Sequence, residues 1–335
     1  MANHQAGIPD DCQSKAAPID TGIEPIQKQT VDYVVRSGLA GGLAGCAAKT
    51  LIAPLDRVKI LFQTKNPEFV KYAGSFFGLN RALSHIFSSE GALGLFRGHS
   101  VTLLRVFPYA AIKFVAYEQV RAVCIPSKDY ETHFRRFLSG SISGVASVFC
   151  TYPLDVVRVQ LAYRSHDKSR HRLLKAIKGI GYQASEKFRI SNYYSGFIPT
   201  VIGMVPYAGV SFLAHDTCHD ILRSKLLRRF AVDSEKKPRM DGKAPLQNWA
   251  ELVAGGTSGM LAQTASYPLE IVRRRMQVAG INNARKSIAQ TAATVFKESG
   301  VRGFFIGLSI GYIKVIPMFA CSFFVYEKAK YLLRI

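Results

Sequence analysis

Six apolar stretches recur along the 335-residue chain, each near the length that crosses a bilayer. Residues 138–154, 196–214 and 252–269 hold no formal charge, and 304–326 holds only Lys314. The other two, 33–61 and 101–117, are interrupted by Lys49 and by Arg105 and Lys113. In lipid every backbone polar group must find its partner inside the protein, so apolar runs of this length predict membrane-spanning helices. Gly and Pro within them are tolerated because neighbouring helices satisfy the freed groups. The expected fold is an all-α membrane protein with six transmembrane helices.

The polar punctuation is threefold. PLDRVK at 54–59, PLDVVR at 153–158 and PLEIVR at 268–273 each close an apolar, glycine-bearing stretch. Glycines precede each proline at matching distances, Gly41 and Gly45, Gly140 and Gly144, Gly255 and Gly259. This GxxxG step suits close approach of helix backbones in lipid. A second landmark follows in each copy, Pro108 with Glu118, Pro206 with Asp216 and Pro317 with Glu327, and Arg121, His219 and Lys330 come three residues after those acids. Three copies in the same internal order imply three homologous units of two helices each. The expected boundaries are repeat 1 at 31–127, repeat 2 at 128–227, a polar linker at 228–247 and repeat 3 at 248–335, behind a disordered polar tail at 1–30 without a secretory signal.

Charge narrows the class. The formal net charge is +21. Nucleic-acid binding accounts for it poorly, because no basic helix, zinc spacing or aromatic RNA-binding pattern is present. Attraction to an anionic membrane surface accounts for loop cations such as those in 164–175. An anionic substrate predicts cations inside the spans, and Lys49, Arg105 and Lys314 are there. The six cysteines, Cys12, Cys46, Cys124, Cys150, Cys218 and Cys321, form no CxxC pair and read as reduced thiols. HExxH, GxSxG and Walker motifs are absent, as is any His and Cys cluster. No enzyme, cofactor or metal site is expected.

These ordered motifs resemble the mitochondrial carrier family over residues 31–333. The pattern PX[DE]XX[KR] is met three times. [DE]GXXXX[FY][KR]G is intact as EGALGLFRG at 90–98, eroded at 299–307 and largely lost at 188–196, and [FY][DE]XX[KR] appears as YEQVR at 117–121 and YEKAK at 326–330, with HDTCH at 215–219 as the departure. The resemblance implies a pseudo-threefold bundle with short matrix-side helices, monomeric in the mitochondrial inner membrane, with cardiolipin as a possible lipid partner. It also implies two gates of ion pairs. The matrix gate would pair Asp56 with Arg158, Asp155 with Arg273 and Glu270 with Lys59, with Gln63 and Gln277 as braces and Ala162 leaving the middle pair unbraced. The cytoplasmic gate would pair Glu118 with His219, Asp216 with Lys330 and Glu327 with Arg121; a largely neutral histidine makes it the weaker one.

Breaks in the symmetry point to the substrate. Arg105, Gly203 and Lys314 lie at equivalent positions before the second acids, and Lys49 has Val148 and Gln263 as counterparts. Charges at mid-bilayer depth are costly and mark permeant paths. By resemblance, Arg105, Gly203 with Met204, and Lys314 with Val315 match the family's substrate contact points. A glycine followed by an aliphatic residue resembles the adenine-nucleotide carriers. Tyr207 is either a stacking partner for the purine or a membrane-core tyrosine, and the role of Lys113 stays open. Lys49, Arg105 and Lys314 would hold phosphates. The run Arg273–Arg275 is followed by MQ rather than three methionines, which argues against a plain ADP/ATP exchanger.

Segments 49–63 and 98–121 look most like the family's coenzyme A transporters, of the fungal and Graves disease carrier type. The expected activity is alternating-access transport of coenzyme A or a related adenine nucleotide by exchange (antiport), with an ATP-Mg/phosphate exchanger as the alternative.

Overall fold

The computed structural model describes residues 31–75, 77–125, 132–165, 171–182, 188–224, 227–232, 246–279 and 286–333. In chain order the helices are α1 (Val31–Gln63), α2 (Gly78–Glu90), α3 (His99–Cys124), α4 (His133–Tyr163), α5 (Arg172–Gly181) and α6 (Phe197–Leu222). There follow α7 (Arg228–Ala231), α8 (Asn248–Ala279), α9 (Ile288–Ser299), α10 (Leu308–Ile313) and α11 (Val315–Leu333). The fold is that of an all-helical membrane protein, with no strand among the described residues beyond an isolated bridge between Val232 and Leu246.

Each repeat reads long helix, short helix, 3-10 turn, long helix. Pro54, Pro153 and Pro268 lie inside α1, α4 and α8, two residues before the acid of each motif. The short helices lie beside the long ones on narrow apolar faces: Ala82 and Ile86 of α2, Ala176 and Ile180 of α5, and Val295 of α9 are buried. A capping box starts α9, with Ser287 and Gln290 exchanging side-chain and backbone bonds at 3.2 and 3.0 Å.

The second long helix of every repeat begins at a glycine in the left-handed region: Gly98 at φ 80°, Gly196 at φ 83° and Gly307 at φ 81°. Glycine is needed for space as well as for φ. A Cβ on Gly98 would stand 2.8 Å from the Arg158 carbonyl oxygen, and one on Gly196 3.0 Å from that of Arg273. The N-termini of α3 and α6 are thus seated on the motif-bearing turns of α4 and α8. The long helices close a ring, α3 along α4, α6 along α8, and α11 along α1.

Five segments are long and apolar enough to cross a membrane: Val35–Gln63, Ala92–Cys124, Arg135–Tyr163, Ile190–Leu222 and Val301–Leu333. The sixth expected helix, α8, is as long but is not among them. Its charge-free stretch 252–269 is rich in glycine, serine and threonine, with Gln263, and these small and polar residues lower its hydropathy. The last span also differs from α3 and α6: it is broken at Lys314 into α10 and α11.

Candidate functional site

The prolines and the turns that follow them bring Asp56, Asp155 and Glu270 to one end of the bundle, and each acid meets a base from another repeat. Arg158 donates to Asp56 at 2.9 Å, Arg273 to Asp155 at 2.6 Å, and Lys59 lies 3.0 Å from Glu270. These are the three partnerships expected of the matrix gate. Asp155 is 1% exposed and Asp56 8%, so removing the partner of either would leave a buried charge uncompensated.

Two of the three are braced. Gln63 donates to Glu270 at 3.0 Å and to the Tyr267 hydroxyl at 3.1 Å, and Gln277 donates to Asp155 at 3.0 Å and to the Tyr152 hydroxyl at 3.1 Å. Each tyrosine then donates to the backbone just before a second long helix, Tyr267 to Ile306 at 3.0 Å and Tyr152 to Ser195 at 3.1 Å. At the third interface Ala162 and Ala53 stand where the others have glutamine and tyrosine. The two tyrosines escaped the sequence reading, although Tyr-Pro in two of three copies was the visible signal. Arg274 escaped it as well: it donates to Asp155 at 3.2 Å and to Gln277 at 2.9 Å.

The asymmetric cations converge on this same gate. Arg105 donates to Asp155 at 3.0 Å and to Thr151 at 3.3 Å, with its guanidinium 5.4 Å from the Tyr109 ring centre. Lys314 donates to Asp56 at 2.9 Å. Lys49 lies within electrostatic reach of Asp56, Lys314, Arg158 and Arg105, and its Nζ is 3.9 Å from the Met318 sulfur. The side chains of Arg105 and Lys314 are 21% and 19% exposed, within reach of a ligand. The other predicted contacts are less converged. Met204 packs on the buried cluster around Tyr152 and Val156, Val315 is half-buried, and Gly203 has Leu269 at ordinary contact distance. Tyr207 is 47% exposed. Lys113 is exposed.

The opposite end lacks the expected pairs among the described residues. Glu118 and Asp216 make no ion pair among the described residues. Glu327 lies 3.7 Å from Lys330 on its own helix, and His219 lies 3.3 Å from Glu251. The three expected cytoplasmic pairs are therefore not formed in this conformation. The GxxxG glycines agree. A Cβ on Gly41, Gly140, Gly144, Gly255 or Gly259 would touch nothing within 4 Å, and one on Gly45 only Val106 at 3.9 Å. The close backbone approach expected of them is not made in this conformation. The fold also gathers a cluster that the sequence reading did not anticipate, His215, His219 and Glu251. All five described cysteines are free, and Cys12 lies outside the described residues.

Known proteins agree with this architecture. The family described as "Mitochondrial carrier protein" matches residues 31–128, 130–226 and 244–335. The chain is 52% identical over 328 residues to the mitochondrial carrier protein LEU5 of Saccharomyces cerevisiae, covering 91% of this chain and 92% of the relative. It is 37% identical over 302 residues to human solute carrier family 25 member 16 (89% and 88% covered), and 36% identical over 307 residues to the human mitochondrial coenzyme A transporter SLC25A42 (90% and 89% covered). With three matched segments in tandem and relatives this similar over about nine-tenths of the chain, the chain belongs to the mitochondrial carrier family.

Proposed function

We propose that this carrier moves coenzyme A, or a closely related adenine nucleotide, across the mitochondrial inner membrane by alternating access, exchanging one anion for another. The observation that carries the reading is the convergence of Lys49, Arg105 and Lys314, which break the threefold symmetry, on the carboxylates of a threefold gate. A gate can be symmetric while a metabolite is not. Several cations at one depth suit a polyanion, and coenzyme A offers a phosphorylated adenosine diphosphate together with an uncharged arm. The likeness to a human protein named as a coenzyme A transporter supports the same class.

The conformation fits one half of a cycle. Ion pairs hold the matrix end closed, while the end bearing Glu118, Asp216 and Glu327 is apart. The unused GxxxG surfaces supply the room for that end to close when the other opens. In this reading repeats 31–127, 128–227 and 248–335 move as three units around the site, and one chain forms the whole pathway. Gly203, Met204, Tyr207 and Val315 line the purine side of the same cavity, with cardiolipin bound at the short helices α2, α5 and α9.

The test is uptake by liposomes reconstituted with the purified protein, with labelled coenzyme A, ADP, ATP and adenosine 3',5'-bisphosphate offered in parallel. Coenzyme A should be taken up fastest and only against an internal counter-anion. Preferred exchange of ATP-Mg for phosphate would replace the substrate while keeping the mechanism, and no uptake of any of the four would overturn the reading.

A further inference from the structure

The second repeat departs from the other two at both ends of the [FY][DE]XX[KR] element. His215 stands where the others have Tyr117 and Tyr326, and His219 where they have Arg121 and Lys330. Four residues apart on α6, the two imidazoles share one face of the helix. Their ring centres are 4.2 Å apart, and His219 is buried. Because α6 packs along α8, Glu251 near the start of α8 reaches the same point, its Oε2 3.3 Å from Nε2 of His219. One donor atom from each of the three side chains lies within 4.8 Å of the others.

That donor set has a definite chemical preference. Zn–N and Zn–O bonds of about 2.0–2.2 Å in a tetrahedron put neighbouring ligand atoms about 3.3 Å apart. The His219–Glu251 separation already has that value, and rotation of the half-buried His215 side chain closes the remainder. Two imidazoles and one carboxylate suit Zn²⁺ and its transition-metal neighbours, whereas Mg²⁺ and Ca²⁺ call for oxygen ligands. Three protein ligands leave the fourth position to water.

We propose that His215, His219 and Glu251 form a binding site for a divalent transition-metal ion, Zn²⁺ fitting best, and that the bound ion clamps α6 to α8 and holds the carrier open at this end. His219 is the residue through which α6 would pair with Glu118 on closure. A metal that engages it on α8 removes it from that partnership. The site thus adds an inhibitory switch to the transport reading; the clamp rests on that reading, and the metal binding does not.

The two parts are tested separately. Purified full-length protein in detergent is titrated with ZnCl₂ by calorimetry, and with CoCl₂ by visible spectroscopy. The expected result is one ion per chain with tetrahedral cobalt bands and no thiolate charge-transfer band. His215→Ala and the isosteric Glu251→Gln should each weaken binding by more than the about 10- to 100-fold that loss of an outer-shell partner costs. Wild-type affinity in both folded variants, or thiolate bands, would overturn the site. In liposomes micromolar Zn²⁺ should slow wild-type uptake, while His215→Ala transports at the metal-free rate and ignores zinc. Uptake that is insensitive to zinc at saturation overturns the clamp. Failure of every substrate to move defeats the transport reading and leaves the calorimetry decisive for the site.

Discussion

Lys314 and Arg158 share the carboxylate of Asp56, each holding one oxygen at 2.9 Å. Asp155 repeats the arrangement, with Arg105 on one oxygen at 3.0 Å and Arg273 on the other at 2.6 Å. In both cases one cation belongs to the proposed threefold gate and the other is an asymmetric candidate for the substrate. In the proposed cycle each acid works in both sites. A polyanion that draws Lys314 and Arg105 away takes one of its cations from each acid, which weakens closure at the moment of binding.

Removing these cations should cost transport and spare the fold. Each charge-assisted contact is worth about 1.5–3 kcal/mol, so Arg105→Ala and Lys314→Ala should each lower uptake by about 10- to 150-fold, and the double variant should fall to background. Unfolding temperatures should change little, because both side chains are partly exposed and each acid keeps its gate partner. Normal uptake by either single variant would remove it from the site. Asp56→Asn gives the converse. With Lys314 no longer held, equilibrium binding of coenzyme A should tighten while uptake falls, and a parallel loss of both would refute the shared role.

The braces should matter unequally. Gln277 bonds Asp155, Tyr152 and Arg274, whereas Gln63 bonds Glu270 and Tyr267. Both are buried at 1% exposure, where each lost hydrogen bond is worth about 0.5–1.5 kcal/mol and more when a charge is involved. Thermal unfolding of the detergent-purified protein should fall by several degrees in Gln277→Ala and by less in Gln63→Ala. Equal or absent shifts would mean that the tyrosines alone hold the gate.

The motif-borne part of this site was legible in the sequence. Asp56, Arg158, Asp155, Arg273, Glu270 and Lys59 recur in register, and the resemblance to the mitochondrial carriers, not the repetition itself, supplied which acid meets which base. The tie between Lys314 and Asp56 spans 258 residues and follows no repeated spacing, so it needed the fold. Glu251 lies outside every motif and meets His219 only because α6 runs beside α8. The cytoplasmic pairs and the GxxxG contacts are not formed here, and the proposed cycle assigns them to a conformation other than this one. The tail 1–30 and most of the linker 228–247 lie outside the described residues.

Only repeat 1 keeps EGALGLFRG, and the structure gives its reason. Arg57 is 1% exposed, and it holds both oxygens of Glu90 at 2.8 and 3.0 Å as well as the Gly94 carbonyl. Arg97 adds a contact to Glu90 at 3.0 Å. The equivalents of Arg57 in the other repeats, Val156 and Ile271, are buried and apolar, so no acid is required there. Glu90→Ala should strand a buried guanidinium and destabilise the protein by about 3–5 kcal/mol, read as a large fall in unfolding temperature or loss of folded protein. Arg57→Leu together with Glu90→Leu should recover much of the loss. A single variant as stable as the wild type would sink this account.

Acid should act on a link at the foot of the bundle. Glu298 on α9, outside the membrane-spanning segments, accepts from Lys65 at 3.0 Å and from Arg275 at 2.8 Å, joining the end of α1 to α8. Burial pushes its carboxyl up, but the hydrogen bonds from Lys65 and Arg275 outweigh this and hold it below its ordinary value of 4.5. A carboxyl that is more acidic in the folded state binds fewer protons there than in the unfolded chain, so stability rises with pH across that interval. The contribution is complete above 4.5 and disappears as pH falls through the lower native value. Glu298→Gln should therefore unfold at a lower temperature than the wild type at pH 7, and the gap should vanish in acid. The glutamate side chain is 37% exposed, so the gap is small, under about 1 kcal/mol, and salt should narrow it. A gap that is the same at pH 7 and in acid would show that the side chain acts by packing rather than by charge.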